Sequence, residues 1–200
     1  MGFYRPLATT VFQAAAAAVT LPEPDEVDPE RFMPSSRSIA FRREVFEKAE
    51  RYPEWLDIGE DMYLNHRLRE LPIRMDFAPE AIAYWRPRPN VSETWRQYFR
   101  YAEGDAVAGM YPERHAVRFA TYGLLAWALA RRNRALLALL GAGATTLVGR
   151  RARRLFGLLH DPSDRARAML SLPGHIALAD LAKMAGYLSG LSRRSARERR

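Results

Sequence analysis

The chain has 200 residues, 48% of them hydrophobic and 27% charged. That composition supports a packed core and excludes wholesale disorder. There is no cysteine, which excludes a disulfide scaffold, a thiolate metal site and a cysteine nucleophile. The net charge of +8 is unevenly spread: 14 Lys+Arg stand against 18 Asp+Glu up to Pro112, and 17 against 5 from Glu113 onward. An acidic globular part is therefore expected first, and a basic, apolar part after it, suited to phosphates of nucleic acid or anionic lipid.

In chain order, Phe12 to Val19 reads as a short helix of strong helix formers, and its alanine run is too short to span a bilayer. Residues 21–34 are rich in proline and acid and read as a loop. Arg42 to Tyr52 reads as a helix with Val45, Phe46 and Ala49 on one face, ended by Pro53. Asp61 to Leu71 reads as a helix whose Leu64, Leu68 and Leu71 form a buried stripe. Ile73 to Phe77 alternates apolar and polar and is expected to be a strand, as is Ala81 to Trp85. Arg86-Pro87-Arg88-Pro89 is stiff and extended. Ser92 is the expected N-cap of a helix from Glu93 to about Ala102, ended by Gly104. Two apolar runs follow, Phe119 to Ala130 and Ala135 to Gly149, bounded by the arginine clusters at 131–134 and 150–154. A linker containing Asp161-Pro162 and Pro173-Gly174 leads to a last helix around Ile176 to Tyr187, and Arg193 to Arg200 form a solvated basic tail.

Several segments together carry a resemblance. Pro34-Ser-Ser-Arg-Ser-Ile-Ala-Phe-Arg-Arg, then Tyr52-Pro-Glu-Trp-Leu-Asp-Ile-Gly-Glu60-Asp61, then Leu68-Arg69 with Phe77-Ala-Pro-Glu-Ala81, then Gln97-Tyr-Phe-Arg100-Tyr101 occur in this order. Each is weak alone; a Glu-Asp pair ahead of a helix is ordinarily a cap. As an ordered set they resemble the family 2 glycosyltransferases, over residues 1 to about 115. Asp180-Leu-Ala-Lys-Met-Ala-Gly-Tyr187 looks like a tail segment of a bacterial membrane-associated subgroup.

The resemblance implies an α/β chain. Residues 1–112 would be the C-terminal half of a GT-A catalytic domain, 113–155 a basic apolar helical hairpin, and 156–200 a linker, terminal helix and tail. It also implies an inverting, nucleotide-sugar-dependent transfer to a glycan or lipid-linked acceptor. Asp61 would be the catalytic base and Glu60 its neighbour. Gln97, Arg100 and Tyr101 would bind substrate, with Arg100 on the leaving phosphate and Tyr101 on a sugar. For the helix aromatics a core role remains an equal alternative. Ser36 and Arg37 would contact donor or acceptor, or Arg37 would pair with Asp57 or Glu60.

Relatives carry an Asp-x-Asp motif that binds a divalent cation, Mg or Mn, bridging the donor diphosphate. No such motif occurs here. The four histidines make no ligand spacing, and no metal ligand is assigned. The implied donor-binding half is then missing, through truncation or separate encoding, and this chain alone is expected to bind nucleotide sugar poorly.

The apolar runs fall short of the ~20 residues of a spanning helix. They read as an interfacial hairpin with arginines on lipid phosphates, as two short spans with snorkelling arginines, or as a soluble hairpin. Membrane contact at the cytoplasmic face is favoured. A non-catalytic membrane adaptor is the main rival. A nucleic-acid-binding module is suggested by the pI of about 10.2, but no nucleic-acid motif appears and no nucleic-acid partner is expected.

Overall fold

The alanine run of the first helix is interior. In the computed structural model, which describes residues 1–198, Ala14 to Ala18 are all buried. A side chain as small as alanine lets neighbouring helices approach closely, and two do. Helix α1 (Val11–Thr20) packs Ala14, Ala15 and Ala18 against Ala152 and Leu155 of α6 (Arg134–Leu158), and against Ala168, Leu172 and Ile176 of α7 (Pro162–Glu198). Between them lie α2 (Arg43–Lys48), α3 (Glu60–Glu70), α4 (Val91–Ala108) and α5 (Pro112–Ala130).

The described sheet consists of β1 (Phe3–Pro6) and β2 (Ile82–Trp85), paired in parallel with Phe3 opposite Ile82 and Pro6 opposite Trp85. Against the α/β expectation, the described residues are mostly helical with one short parallel pair of strands, and the expected all-helical region follows.

Helix α7 lies along α4, and glycine sets their spacing. An added Cβ at Gly186 would collide with the Phe99 carbonyl, and one at Gly190 with the Glu103 carbonyl and the Ala106 side chain. Ala179 and Ala182 continue the stripe against Tyr98. On its other side α4 receives the 56–59 loop, and an added Cβ at Gly104 would overlap the Ile58 carbonyl. This contact corrects the expectation that Gly104 ends the helix. It is an interior position where two backbones touch, and α4 continues to Ala108 before Gly109, at φ 69°, terminates it.

Other expectations are revised for equally local reasons. The N-cap of α4 is Asn90, whose Oδ1 accepts from the Glu93 N–H at 2.9 Å, not Ser92. Residues 73–77 are extended but form no strand. Ile73 and Met75 pack on the Leu64–Leu68 core, and Phe77 meets Phe3 and Phe32, so the alternation records burial without a ladder. Helix α2 stops at Lys48, with Glu50 and Arg51 in left-handed backbone at φ 61° each.

The Pro173-Gly174 linker is absent, because α7 runs straight through both residues. Proline costs a helix about 3 kcal/mol, but Ala168, Leu172, Ile176, Ala179 and Ala182 make a stripe of buried positions across it. The basic tail is helical to Glu198, and Arg193 pairs with Glu103 at 3.3 Å. Its last two residues, Arg199 and Arg200, lie outside the described ones. No described helix is long and apolar enough to cross a membrane.

Gly104→Ala should destabilise the fold by about 1–3 kcal/mol, the range for overpacking a tight contact. Ala elsewhere in a helix interior normally gains stability over Gly. Chemical denaturation of the variant gives the sign.

Candidate active site

The turn that precedes α3 is built from the first strand. Phe3 N–H donates to the Ala81 carbonyl at 2.9 Å beside the β1–β2 ladder. Gly2 N–H donates to the Ser38 carbonyl at 2.7 Å, and the Ser38 hydroxyl donates back to the Gly2 carbonyl at 3.1 Å. The Tyr4 hydroxyl lies 2.5 Å from the Ser35 hydroxyl. These bonds pin a 3₁₀ turn, Ser36–Ser38, against the mouth of α3. Below it, the buried Asn65 amide donates to the Pro34 carbonyl at 2.5 Å, a stable tie because a buried amide left unpaired is costly.

Asp61 sits where that turn meets the helix. Its Oδ2 accepts from the Ser36 N–H at 3.3 Å and its Oδ1 from the Met62 N–H at 2.8 Å. Gly59, at φ 87°, supplies the left-handed residue that starts the helix. The first-turn acids, Glu60 and Asp61, stand at the positive end of the helix dipole. Only part of the Asp61 carboxylate's lone-pair capacity is used by these two bonds, and the residue lines an open cleft of about 450 Å³.

Three tyrosines surround this carboxylate. Tyr52, Tyr101 and Tyr111 all have hydroxyl pKa values pushed up, first by burial and further by the negative charge of Asp61. Tyr101 and Tyr111 line the cleft with Asp61, as does Arg37. Arg37 makes no ion pair with Asp57 or Glu60 among the described residues. It lies close enough to Tyr101 to lower its pKa.

Of the residues singled out in the sequence, Asp61, Ser36, Arg37 and Tyr101 are thus brought together. Ser36 contributes its backbone N–H to Asp61. Its hydroxyl lies near enough to Tyr52 to oppose the rise in that tyrosine's pKa. Glu60 stands next to Asp61 in the first turn of α3, near enough to raise the Tyr52 hydroxyl pKa further. Gln97 points outward: its Oε1 accepts from Arg88 Nε at 3.0 Å. Arg100 lines a different cleft, of about 390 Å³, together with Arg88, Arg96 and Gln97. The α4 helix therefore carries a tyrosine on the carboxylate cleft and an arginine on a neighbouring basic one. Tyr98 is core, buried against α7 with its hydroxyl 2.5 Å from that of Thr20.

The far wall of the Asp61 cleft was not visible in the sequence. It consists of Asp105 on α4, Arg114, His115 and Arg118 on α5, and Lys183 on α7. His115 is buried, with Nε2 3.1 Å from Asp105 Oδ2 and its ring stacked on Tyr187 at 3.9 Å. Arg118 donates to Asp180 at 2.7 Å. The Tyr122 hydroxyl, 3.4 Å from Asp180, has its pKa pushed up to about 12 by burial and that carboxylate. Lys183 lies with Nζ 4.7 Å from the centre of the Tyr98 ring.

No group of three or more His, Asp or Glu side chains among the described residues is arranged to hold a metal ion. No family model, curated protein or solved structure matches the chain.

Burial penalises the charged form of Lys183, and Arg118 repels it, so its pKa falls from 10.5 to about 8. Folding thus weakens proton binding, and the cost of holding the charge, present in full below about pH 8, is relieved as pH rises towards 10.5. Lysine-selective NMR should show one amine with a midpoint near pH 8 that Lys183→Met removes; a midpoint near 10.5 contradicts this environment.

Proposed function

We infer that the chain supplies the acceptor-activating part of an inverting family 2 glycosyltransferase. The observation that carries this reading is the placement of Asp61: two backbone N–H groups fix the carboxylate at a helix mouth, and it lines a cleft with Tyr101 and Arg37. A fixed carboxylate beside a cleft is what general-base chemistry requires.

In the proposed reaction the acceptor hydroxyl oxygen attacks the anomeric carbon of a nucleotide sugar. Its proton passes to a free lone pair of Asp61 as the C–O bond forms. The bond from the anomeric carbon to the diphosphate breaks on the opposite face, inverting the configuration. The electron pair leaves with the nucleoside diphosphate. Tyr101, half-exposed on the cleft wall, offers a ring face for the acceptor. The basic cleft of Arg88, Arg96 and Arg100 faces the charge that develops on the leaving group. Residues 1–112 then act as half of a GT-A domain. The chain contains no Asp-x-Asp motif, so donor binding falls to another polypeptide segment, and no step is routed through a metal held by these residues.

The hairpin of α5 and α6 supports a location on an anionic membrane surface at the cytoplasmic face, next to a lipid-linked or glycan acceptor. Leu124, Leu125, Trp127, Leu129, Leu139 and Leu147 are exposed, and Arg131, Arg132 and Arg134 sit at its tip. Apolar side chains beside arginines suit the boundary between headgroups and acyl chains. Arg154 takes no part, because it is paired with Glu26 at 2.7 Å and bonds the Ala18 carbonyl at 2.9 Å.

Assembled with an Asp-x-Asp-bearing donor half, Asp61→Asn should lower turnover by roughly 10²–10⁴-fold without lowering the melting temperature. Ser36→Pro is expected to act similarly. Ser36 opens its 3₁₀ turn after an extended Ser35, so proline fits the backbone and deletes the N–H that holds Asp61. Ser36→Ala keeps that N–H and should retain activity. Wild-type turnover in Asp61→Asn removes the base assignment.

The chain should also co-sediment with vesicles containing phosphatidylglycerol, less so in high salt, and far less as the double variant Trp127→Ala, Leu129→Ala. Equal binding to neutral vesicles by wild type and variant contradicts the membrane reading.

A further inference from the structure

The Asp61 cleft has one wall of unusual chemistry. Arg114, Arg118 and Lys183 line it beside Asp105, and Arg37, on the turn that holds Asp61, lines the same cleft. Much of this charge already has a hydrogen-bond, ion-pair or ring partner. Asp105 is held by His115, and Arg118 by Asp180, which stands behind the wall. Arg114 lies over the Tyr111 ring at 4.2 Å. Lys183 is different, since no described carboxylate lies within ion-pair distance of its ammonium.

The groups that face Lys183 come from each element packed around it. Helix α4 brings Tyr98 beneath the ammonium and Asp105; α5 brings Arg118; α6 brings Arg151; α7 brings Asp180. Two arginines repel the ammonium and two carboxylates attract it from beyond contact. A desolvated cation facing an open cleft, without a counter-ion of its own, is a receptor for an anion. Its neighbours Arg37 and Arg114 add two further donors on the same cleft.

We propose that Lys183 and Arg114, on the wall across the cleft from Asp61, form a phosphate subsite to which Arg37 adds a third cation, so that the cleft takes a ligand carrying both a phosphate and a free hydroxyl. The anion is drawn to the Lys183 wall, because at Asp61 a phosphate would meet a like charge. The hydroxyl is then left for the carboxylate. Asp61 as a base has work to do only on a hydroxyl, since a phosphate oxygen is already ionised at neutral pH. Assigning the phosphate to an acceptor rests on the transferase reading; the anion subsite itself does not.

The test uses the full chain and two probes, inorganic phosphate and a short-chain phosphatidic acid below its micelle concentration, followed by calorimetry. Both are expected to bind, and Lys183→Met should weaken binding about tenfold or more. Asp61→Asn removes transfer but not the anion wall, and should bind phosphate at least as well as wild type. Failure of the subsite is therefore distinguishable from failure of the base. Lys183→Arg guards against a folding defect: it keeps the charge, should retain binding, and should lose the fall in affinity seen above pH 8 in the wild type. Arg43→Ala, on the exposed face of α2, should change nothing. Tighter binding of the phosphatidic acid assigns a lipid-borne phosphate, and equal binding a soluble one. Absence of phosphate binding, or full binding by Lys183→Met, overturns the proposal.

Discussion

Everything at the candidate site depends on how closely two backbones can approach helix α4. On one side Gly186 and Gly190 let α7 lie directly on the Phe99 and Glu103 carbonyls. On the other, Gly104 lets the loop before α3 lie on α4 at Ile58. A methyl group at any of the three would open the contact. The first approach brings Lys183 to the cleft and Asp180 behind its wall, and the second brings Asp61. The cleft is therefore an outcome of three missing side chains, and packing interiors as dense as a crystal makes such positions unforgiving.

Given that frame, electrostatics divides the labour around α4. The side facing the 35–38 turn carries a carboxylate fixed by two N–H donors and ringed by tyrosines whose ionisation it opposes. The side facing α5 and α7 carries Asp105 hydrogen-bonded to His115 and Asp180 ion-paired with Arg118, beside a Lys183 ammonium with no described carboxylate in ion-pair distance. Towards the start of that helix, Arg88, Arg96 and Arg100 line a separate basic cleft, in which Arg88 donates to Gln97. Acid, aromatic and cationic groups from several elements are thus gathered around one helix.

Much of this order was legible in the sequence, and the limits of legibility are physical. The leucine stripe of α3, the Ala-rich α1 and the strand at Ile82–Trp85 follow from local periodicity. The grouping of Ser36, Arg37, Asp61 and Tyr101 came from ordered motifs. What periodicity does not encode is contact between distant segments. Gly104 reads as a helix end until Ile58 is seen against it. Pro173 reads as a break until the buried stripe from Ala168 to Ala182 is seen running across it. Strand β1 is four residues long and exists because β2 lies beside it. Asp105, His115, Arg118 and Lys183 are ordinary polar positions on three different helices. Only the tertiary arrangement makes them one wall.

The central claim is that the Asp61 carboxylate is gripped by two amides from different segments. Amide NMR shifts of Ser36 and Met62, followed through an acid titration, test it most directly. As Asp61 takes up its proton both hydrogen bonds weaken together, so the two amides should shift with one shared midpoint, and Asp61→Asn should abolish both transitions. A Ser36 amide that stays still while Met62 moves would show that the carboxylate does not join the turn to the helix.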